Sequence, residues 1–362
     1  VAHDHEPAKP HRITISTVAA ALGVAVSTVS NAYNRPDQLS AELRERVLAV
    51  AAELGYPGPN PVARSLRQQR AGAVGVLFAE RLPYAFRDPA VLMVLEGIAT
   101  TLEQAGLGLL LVPGRDDDTT TVQQALVDGF IVYSMMETDP LVQAALKRRL
   151  PTVLLDQPPR PDVPSIIVDD EAGARMATEH LLSLGHRQFA IITDRLVETN
   201  LRPSSAPINV HDQSEPTFFV TQLRLQGYRQ PLEAAGIDWR SVPIYDCNDN
   251  NEIDGAAAIQ ILLAHNPRPT AILCLTDRLA LGAISGAQQA GYQVPQQLSI
   301  VGFDDIPQAS QSVPSLTTIR QDHRQKGLSA GQALIELLAG QSPTSYQRLA
   351  VELVVRDSTA AI

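Results

Sequence analysis

Between Thr14 and Asn34 the apolar positions Val18, Ala21 and Leu22 recur at helical spacing until Gly23 interrupts them. A second short helix is predicted from near Val26, with Val29 and Ala32 turned inward. Two short helices joined by a glycine-containing turn form a helix-turn-helix, whose second helix suits the width of a DNA major groove. Val26, Ser27 and Asn31 then point outward, and Thr28, Ser30 and Asn34 complete the candidate DNA contacts. Serine and asparagine can hydrogen-bond base edges, and valine can pack on a thymine methyl. A plain packing hairpin would show the same spacing. After the turn RPDQ, Ser40 is placed to cap a third helix, with Leu43, Val47, Val50, Ala51 and Leu54 on one face. Gly55 ends it, and Pro57, Gly58, Pro59 and Pro61 make a stiff passage into a short basic helical candidate, VARSLRQQRAG.

From Ala73 the pattern changes to alternating strand and helix. Apolar strands AVGVLFA, GLLLVP, DGFIVYS, LPTVLLDQ and PSIIVDD alternate with amphipathic segments. QFAIITD, VPIYDC, PTAILCLTD and LSIVGFDD repeat the scheme. Nearly continuous apolar strands separated by helices specify parallel sheets covered on both faces. Two such doubly wound units imply a cleft beyond the carboxyl ends of the strands. One stretch interrupts the texture: RLVETNLRPSSAPINVHDQSEPTFFVTQL, around residues 195–223, is rich in Pro, Ser and polar residues. It reads as a mobile surface insertion in preference to a flap over the cleft.

Composition sharpens this picture. The chain has 362 residues and a net charge of −10. Between His11 and Arg70, however, seven arginines face four acidic side chains, leaving +3 there and −13 elsewhere. A small basic module on a large acidic body is what a confined DNA contact requires. No apolar run reaches the ~18 residues of a membrane span. The N-terminus is polar, so a cytoplasmic protein without a membrane partner is expected, its histidine-bearing tail disordered. Cys247 and Cys274 lack metal spacing and read as packing residues. No nucleophile elbow, phosphate loop, dinucleotide fingerprint or zinc spacing is present, so neither an enzyme nor a cofactor or metal is expected. His180 and His186 read as capping or turn residues, and Glu80, Asp88 and Asp116, Asp117 and Asp118 as solvated loop charges.

The run TISTVAAALGVAVSTVSNAYNRP…LSAELRERVLAVAAELGY…PNPVARSLR resembles the headpiece and hinge of the lactose/galactose-repressor (LacI/GalR) family of bacterial transcription regulators. The likeness continues through nearly the whole chain. It implies a helix-turn-helix headpiece over 13–58, a hinge helix within 59–70, and a two-lobed, periplasmic-binding-protein-like α/β core over 73–362. By that resemblance 73–168 and about 296–321 form one lobe, with 169–295 and 322–362 forming the other. The implied partners are double-stranded operator DNA, a small effector (sugar, polyol or nucleoside) and a second copy of the chain in a homodimer.

The resemblance also carries site residues. In the hinge, Asn60, Ala63, Leu66 and Arg67 match DNA-contacting positions, with Leu66 as the minor-groove wedge. Asp156, Arg224 and Asp277, at strand ends or helix starts, match effector-contacting positions; carboxylates accept sugar hydroxyls and arginine donates a planar fork. Tyr84 and Phe86 could stack on an apolar ring face. Two positions depart from the family pattern. Asn250 stands where relatives often carry a stacking aromatic, and Ala25 replaces a common serine cap. The alternatives are a solute-binding protein without regulatory DNA binding, and a hydrolase or kinase on the same sheet class.

Overall fold

The computed structural model describes residues 13–59, 70–78, 82–113, 118–194, 196 and 218–362. The chain divides into two compact units, one up to residue 71 and one from Gly72 onward. The hinge positions Asn60, Ala63, Leu66 and Arg67, Glu80, Asp116 and Asp117, the N-terminal tail and most of the insertion lie outside the described residues.

Among its described residues the first unit has three α-helices, α1 (Ile15–Leu22), α2 (Val26–Asn34) and α3 (Ala41–Glu53). Thr14 caps α1 by a reciprocal exchange with Thr17, and Gly23 closes it at φ 65°, a left-handed conformation that glycine adopts without strain. α1 and α2 meet with a bend of 112°. Val18, Val29, Val47 and Ala51 are buried at their junction with α3, so three short helices share one small core. Ser40 caps α3 through its hydroxyl, which accepts from Leu43 N at 3.3 Å. Ala25 stands at the cap position of α2 with extended backbone and no side-chain bond to offer. Ala25→Ser is therefore expected to stabilise this unit by about 1 kcal/mol. That would raise its melting midpoint by roughly 4–8 °C; an unchanged midpoint in a thermal melt would refute it.

The second unit contains two six-stranded sheets. The first has the order β11-β5-β4-β3-β1-β2 and is wholly parallel. Its strands are β1 (Ala73–Phe78), β2 (Gly108–Pro113), β3 (Gly129–Tyr133), β4 (Thr152–Leu155), β5 (Ser165–Val168) and β11 (Tyr346–Leu349). The second has the order β12-β10-β9-β8-β6-β7. It comprises β6 (Phe189–Asp194), β7 (Ile244–Cys247), β8 (Ala271–Cys274), β9 (Ser299–Asp304), β10 (Thr317–Gln321) and β12 (Val351–Val354), the last antiparallel to β10. The helices are α4 (Leu82–Ala85), α5 (Pro89–Gln104), α6 (Thr120–Gln124), α7 (Pro140–Lys147), α8 (Asp170–Ser183), α9 (Phe219–Ala234), α10 (Glu252–Leu262), α11 (Asp277–Gln289), α12 (Pro307–Gln311) and α13 (His323–Leu338).

The lobe boundaries differ from the sequence expectation. Residues 299–321 belong to the second sheet, because β9 pairs with β8 and β10 with β9. Conversely α13 and β11 belong to the first lobe. A Cβ on Gly97 of α5 would lie 2.2 Å from Arg324 O, and one on Gly327 of α13 would lie 2.1 Å from Val94 O. The two backbones touch where glycines admit them, which fixes α13 against the first sheet. The chain thus crosses between lobes three times: after β5, after β10 and after β11. Two further expectations change. The loop after β1 contains the helical turn α4, and residues 219–223, assigned to the polar insertion, are the start of α9. Both changes bring side chains to the cleft.

Candidate functional site

On α2, Val26 and Ser27 are exposed, while Thr28, Ser30, Asn31 and Asn34 are half-buried. Asn31 Nδ2 donates to Gln38 at 3.3 Å, and Asn34 Nδ2 donates to the Ser30 carbonyl at 3.0 Å. The first turn of the helix therefore presents a short apolar group and a hydroxyl to solvent, backed by amides held in place.

In the second unit a cavity of about 100 Å³ lies between the lobes. Tyr84, Asp88 and Asp156 enter it from the first lobe, and Arg224, Asn250 and Asp304 from the second. His323 and Lys326 reach it from α13. Its floor is a chain of buried polar contacts. Lys326 Nζ donates to Asp156 Oδ2 at 2.6 Å and to Gln321 Oε1 at 2.7 Å. Gln321 Nε2 donates to Asp304 Oδ1 at 2.6 Å. Arg224 Nε donates to Asp170 Oδ1 at 2.8 Å, its NH1 donates to the Leu275 carbonyl, and its Cζ lies 3.6 Å from the Phe303 ring centroid. Burial opposes the charge on Arg224, but Asp170 and Asp304 outweigh it, so its pKa rises above the ordinary value. Burial drives the pKa of Asp304 well above the carboxylate range and raises that of Asp170.

A second set of contacts joins the lobes at the cavity rim. Tyr84 donates its hydroxyl proton to Asp88, and Asn250 Nδ2 donates to Tyr84 Oη at 3.0 Å and to Asp88 Oδ2 at 3.3 Å. Thr276 Oγ1 donates to Asn250 Oδ1 at 2.7 Å. The amide of Asn250 is therefore saturated by partners from both lobes. The cavity is also ringed by unusual backbone. Ser134, Asp156 and Asp304 line it at φ of 49°, 56° and 132°. Non-glycine residues held there cost of order 1–3 kcal/mol each, and such costs collect at functional sites.

Of the effector positions expected from sequence, Tyr84, Asp156, Arg224 and Asn250 line this cavity. Phe86 does not; it is 60% exposed. Asp277 does not either. It is fully buried in the second lobe, where Thr318 Oγ1 donates to its Oδ1 at 2.5 Å and Ile306 N to its Oδ2 at 2.9 Å. Both oxygens are engaged by the protein itself, and Asp304 presents the carboxyl group that lines the cavity. Asp88 is no solvated loop charge: it is buried, caps α5 through Ala90 N at 2.8 Å and lines the cavity. His180 and His186 serve the end of α8 as expected, Leu184 N donating to the His180 carbonyl and His186 N to the Leu181 carbonyl at 3.2 Å each. Their rings in addition bond Thr359 Oγ1, and Thr270 Oγ1, Ser299 Oγ and the Ala360 carbonyl respectively, tying the C-terminal segment to the second lobe. Cys247 and Cys274 are buried in the core of the second lobe, as packing residues would be.

Comparison with known proteins settles what this architecture is. Residues 14–60 match the family described as bacterial regulatory proteins, lacI family, and residues 178–359 match the periplasmic binding protein-like domain. An HTH-type transcriptional regulator of Mycolicibacterium smegmatis is 42% identical over 336 residues, covering 91% of this chain and 91% of that protein. The chain belongs to the lacI family. It is a DNA-binding transcriptional regulator and not an enzyme, and the match over 14–60 disposes of the reading as a solute-binding core alone.

Two solved structures of transcriptional regulators resemble nearly the whole chain. The lac repressor dimer bound to operator and the anti-inducer ONPF has a TM-score of 0.78 and 29% identity, covering 96% of this chain and 99% of that one. The CelR–cellobiose complex has a TM-score of 0.68 and 28% identity, covering 96% and 100%. No single helix among the described residues is long and apolar enough to cross a membrane. Sequence reading of this lacI-family chain missed Asp304, Gln321, His323 and Lys326. Asp304 ends an apolar strand as Asp156 follows one, so the same rule could have found it.

Proposed function

We propose that this lacI-family regulator is a cytoplasmic repressor that binds operator DNA as a homodimer and responds to a small effector held between its lobes. Val26, Ser27, Thr28, Ser30, Asn31 and Asn34 read or position the major groove. Asn60, Ala63, Leu66 and Arg67 engage the minor groove between half-sites, with Leu66 as the wedge. Tyr84, Asp156, Arg224, Asn250 and Asp304 hold the effector, a sugar, polyol or nucleoside. The observation that carries this reading is the buried cavity built from both lobes, closed at its rim by Tyr84, Asp88 and Asn250.

An effector that changes those contacts shifts the lobes, and linkage requires that it bind the DNA-bound and free forms with unequal affinity. Val313, 84% exposed at a groove beside α11 lined also by Leu281, Ile284 and several Ser and Gln side chains, supports a second copy as partner. The solved dimer of a relative supports it too.

The test is operator selection from random duplexes, followed by fluorescence anisotropy with and without added metabolites. Exchanging Val26, Ser27 and Asn31 together is expected to redirect the selected sequence, each lost base contact costing about 1–3 kcal/mol of discrimination. Selection of the same sequence by the exchanged protein would reject α2 as the reader. Operator affinity indifferent to every metabolite that binds the core would reject effector control.

A further inference from the structure

Asp156 and His323 line the cavity and are each more than nine-tenths buried, yet Asp156 Oδ1 and both ring nitrogens of His323 have no hydrogen-bond partner. The other oxygen of Asp156 receives Lys326 Nζ at 2.6 Å, and Lys326 is 1% exposed. An ammonium has three protons; Asp156 and Gln321 take two, leaving one donor. His323 and Lys326 lie one turn apart on α13, so a donor, a carboxylate acceptor and an imidazole stand side by side. Burial, then Lys326 and Arg224, hold His323 well below the ordinary histidine pKa, so its ring is neutral at pH 7, with one donor nitrogen and one acceptor.

The charges restrict what can approach this group. Asp88, Asp156, Asp194 and Asp304 line the cavity against the cations Arg224 and Lys326. Both cations are committed, Arg224 to Asp170 and Lys326 to Asp156. A phosphate or carboxylate placed here would face Asp88, Asp156 and Asp194 without an uncommitted cation among the described lining residues, and like charges in a buried site repel strongly. That repulsion does not depend on Asp304, whose pKa burial raises. A hydroxyl, by contrast, both donates and accepts. Two neighbouring hydroxyls can give a proton to Asp156 Oδ1, accept the third proton of Lys326, and use His323 in either sense. An amide carbonyl or ether oxygen cannot donate to Asp156.

Resting on the reading of this cavity as the effector site, we propose that the Lys326–Asp156 pair with His323 is its specificity determinant, reading an uncharged vicinal diol and excluding phosphorylated or acidic sugars. Lys326 thereby sets which class of polyol the regulator senses, and α13 carries that choice.

Isothermal titration of the full-length chain tests this with a panel of neutral pentoses, hexoses and cyclic and acyclic polyols, each beside its monophosphate. At least one neutral compound is expected to bind, with its monophosphate weaker by 100-fold or more. Lys326→Met should weaken the neutral compound at least 10-fold, and Lys326→Arg should recover part of the loss. A monophosphate binding as tightly as its parent overturns the specificity assignment while leaving effector control intact, as does undiminished affinity in a folded Lys326→Met protein. Silence from every member of the panel, with operator binding retained, removes the carbohydrate reading of the cleft along with it. Should Lys326→Met lose its far-UV circular dichroism, the ratio of parent to monophosphate affinity in the unmodified protein decides alone.

Discussion

Arg224→Met is expected to destabilise the core unit by about 3–5 kcal/mol, because removing one partner of a buried ion pair strands the other charge. Arg224 is 5% exposed and Asp170 is 1% exposed. Arg224 lies 2.8 Å from Asp170 and 3.9 Å from Asp304, and it stacks on Phe303. Methionine replaces the stem and some of the stacking, but leaves two buried carboxyl groups without their cation. Adding Asp170→Asn to Arg224→Met should recover a large part of the loss, since an amide carries no charge to desolvate. Urea unfolding of the full-length proteins measures both effects. A loss below about 1 kcal/mol for the single change would mean that water reaches this pair.

For Asp277 the expected result is structural rather than ligand-specific. Asp277→Ala orphans the Thr318 hydroxyl and the Ile306 amide, both buried, at a cost of about 2–3 kcal/mol after relief of the buried charge. Burial pushes Asp277 up from 3.8 to about 7, against the opposing hydrogen bonds from Thr318 and Ile306. A carboxyl group with a raised folded pKa binds its proton more tightly in the native state. Its contribution to stability is therefore greatest below about pH 4, falls as pH rises from 4 to 7, and is constant above. Asp277→Asn removes that slope and keeps an acceptor. Asp304 and Asp170, also raised by burial, add slopes of their own, so the informative quantity is the difference between parent and variant. A parent and an Asp277→Asn protein whose stabilities run parallel between pH 4 and 7 would refute the assignment. So would an Asp277→Ala protein as stable as the parent.

The sequence carried the two-unit plan because apolar spacing alone separates three short helices from a long run of buried strands. It carried the cavity only in part. Asp277 and Asp304 both end apolar strands, ILCLTD and IVGFDD, and nothing in their spacing tells them apart. Their surroundings do. Asp277 opens α11 and turns back on Thr318, whereas Asp304 sits at φ 132° and turns toward the cavity. Lys326 was legible in principle. It shares the inward stripe His323, Lys326, Gly327, Ala330, Gly331 and Leu334 of α13, and a lysine at a core position of an amphipathic helix asks for a buried partner. The lobe exchange of residues 299–349 was not legible, because periodicity identifies a strand without naming its neighbour in the sheet. The contact of Gly97 with α13 depends on how closely two backbones approach, which no single segment reveals.

The triple crossing between lobes has a consequence for how the protein is made. The first sheet lacks β11, and its helical cover lacks α13, until the ribosome has passed residue 349. At roughly 5–20 residues per second, the strands ending at Val168 wait on the order of 10–30 s for the helix that begins at His323. Throughout that interval the apolar face that α5 and the first sheet present to α13 is uncovered. A nascent chain of this design offers chaperones a long-lived apolar client surface. Truncations between residues 168 and 323, which remove α13, should leave that surface permanently exposed and drive the fragment into inclusion bodies rather than yield a stable half-molecule.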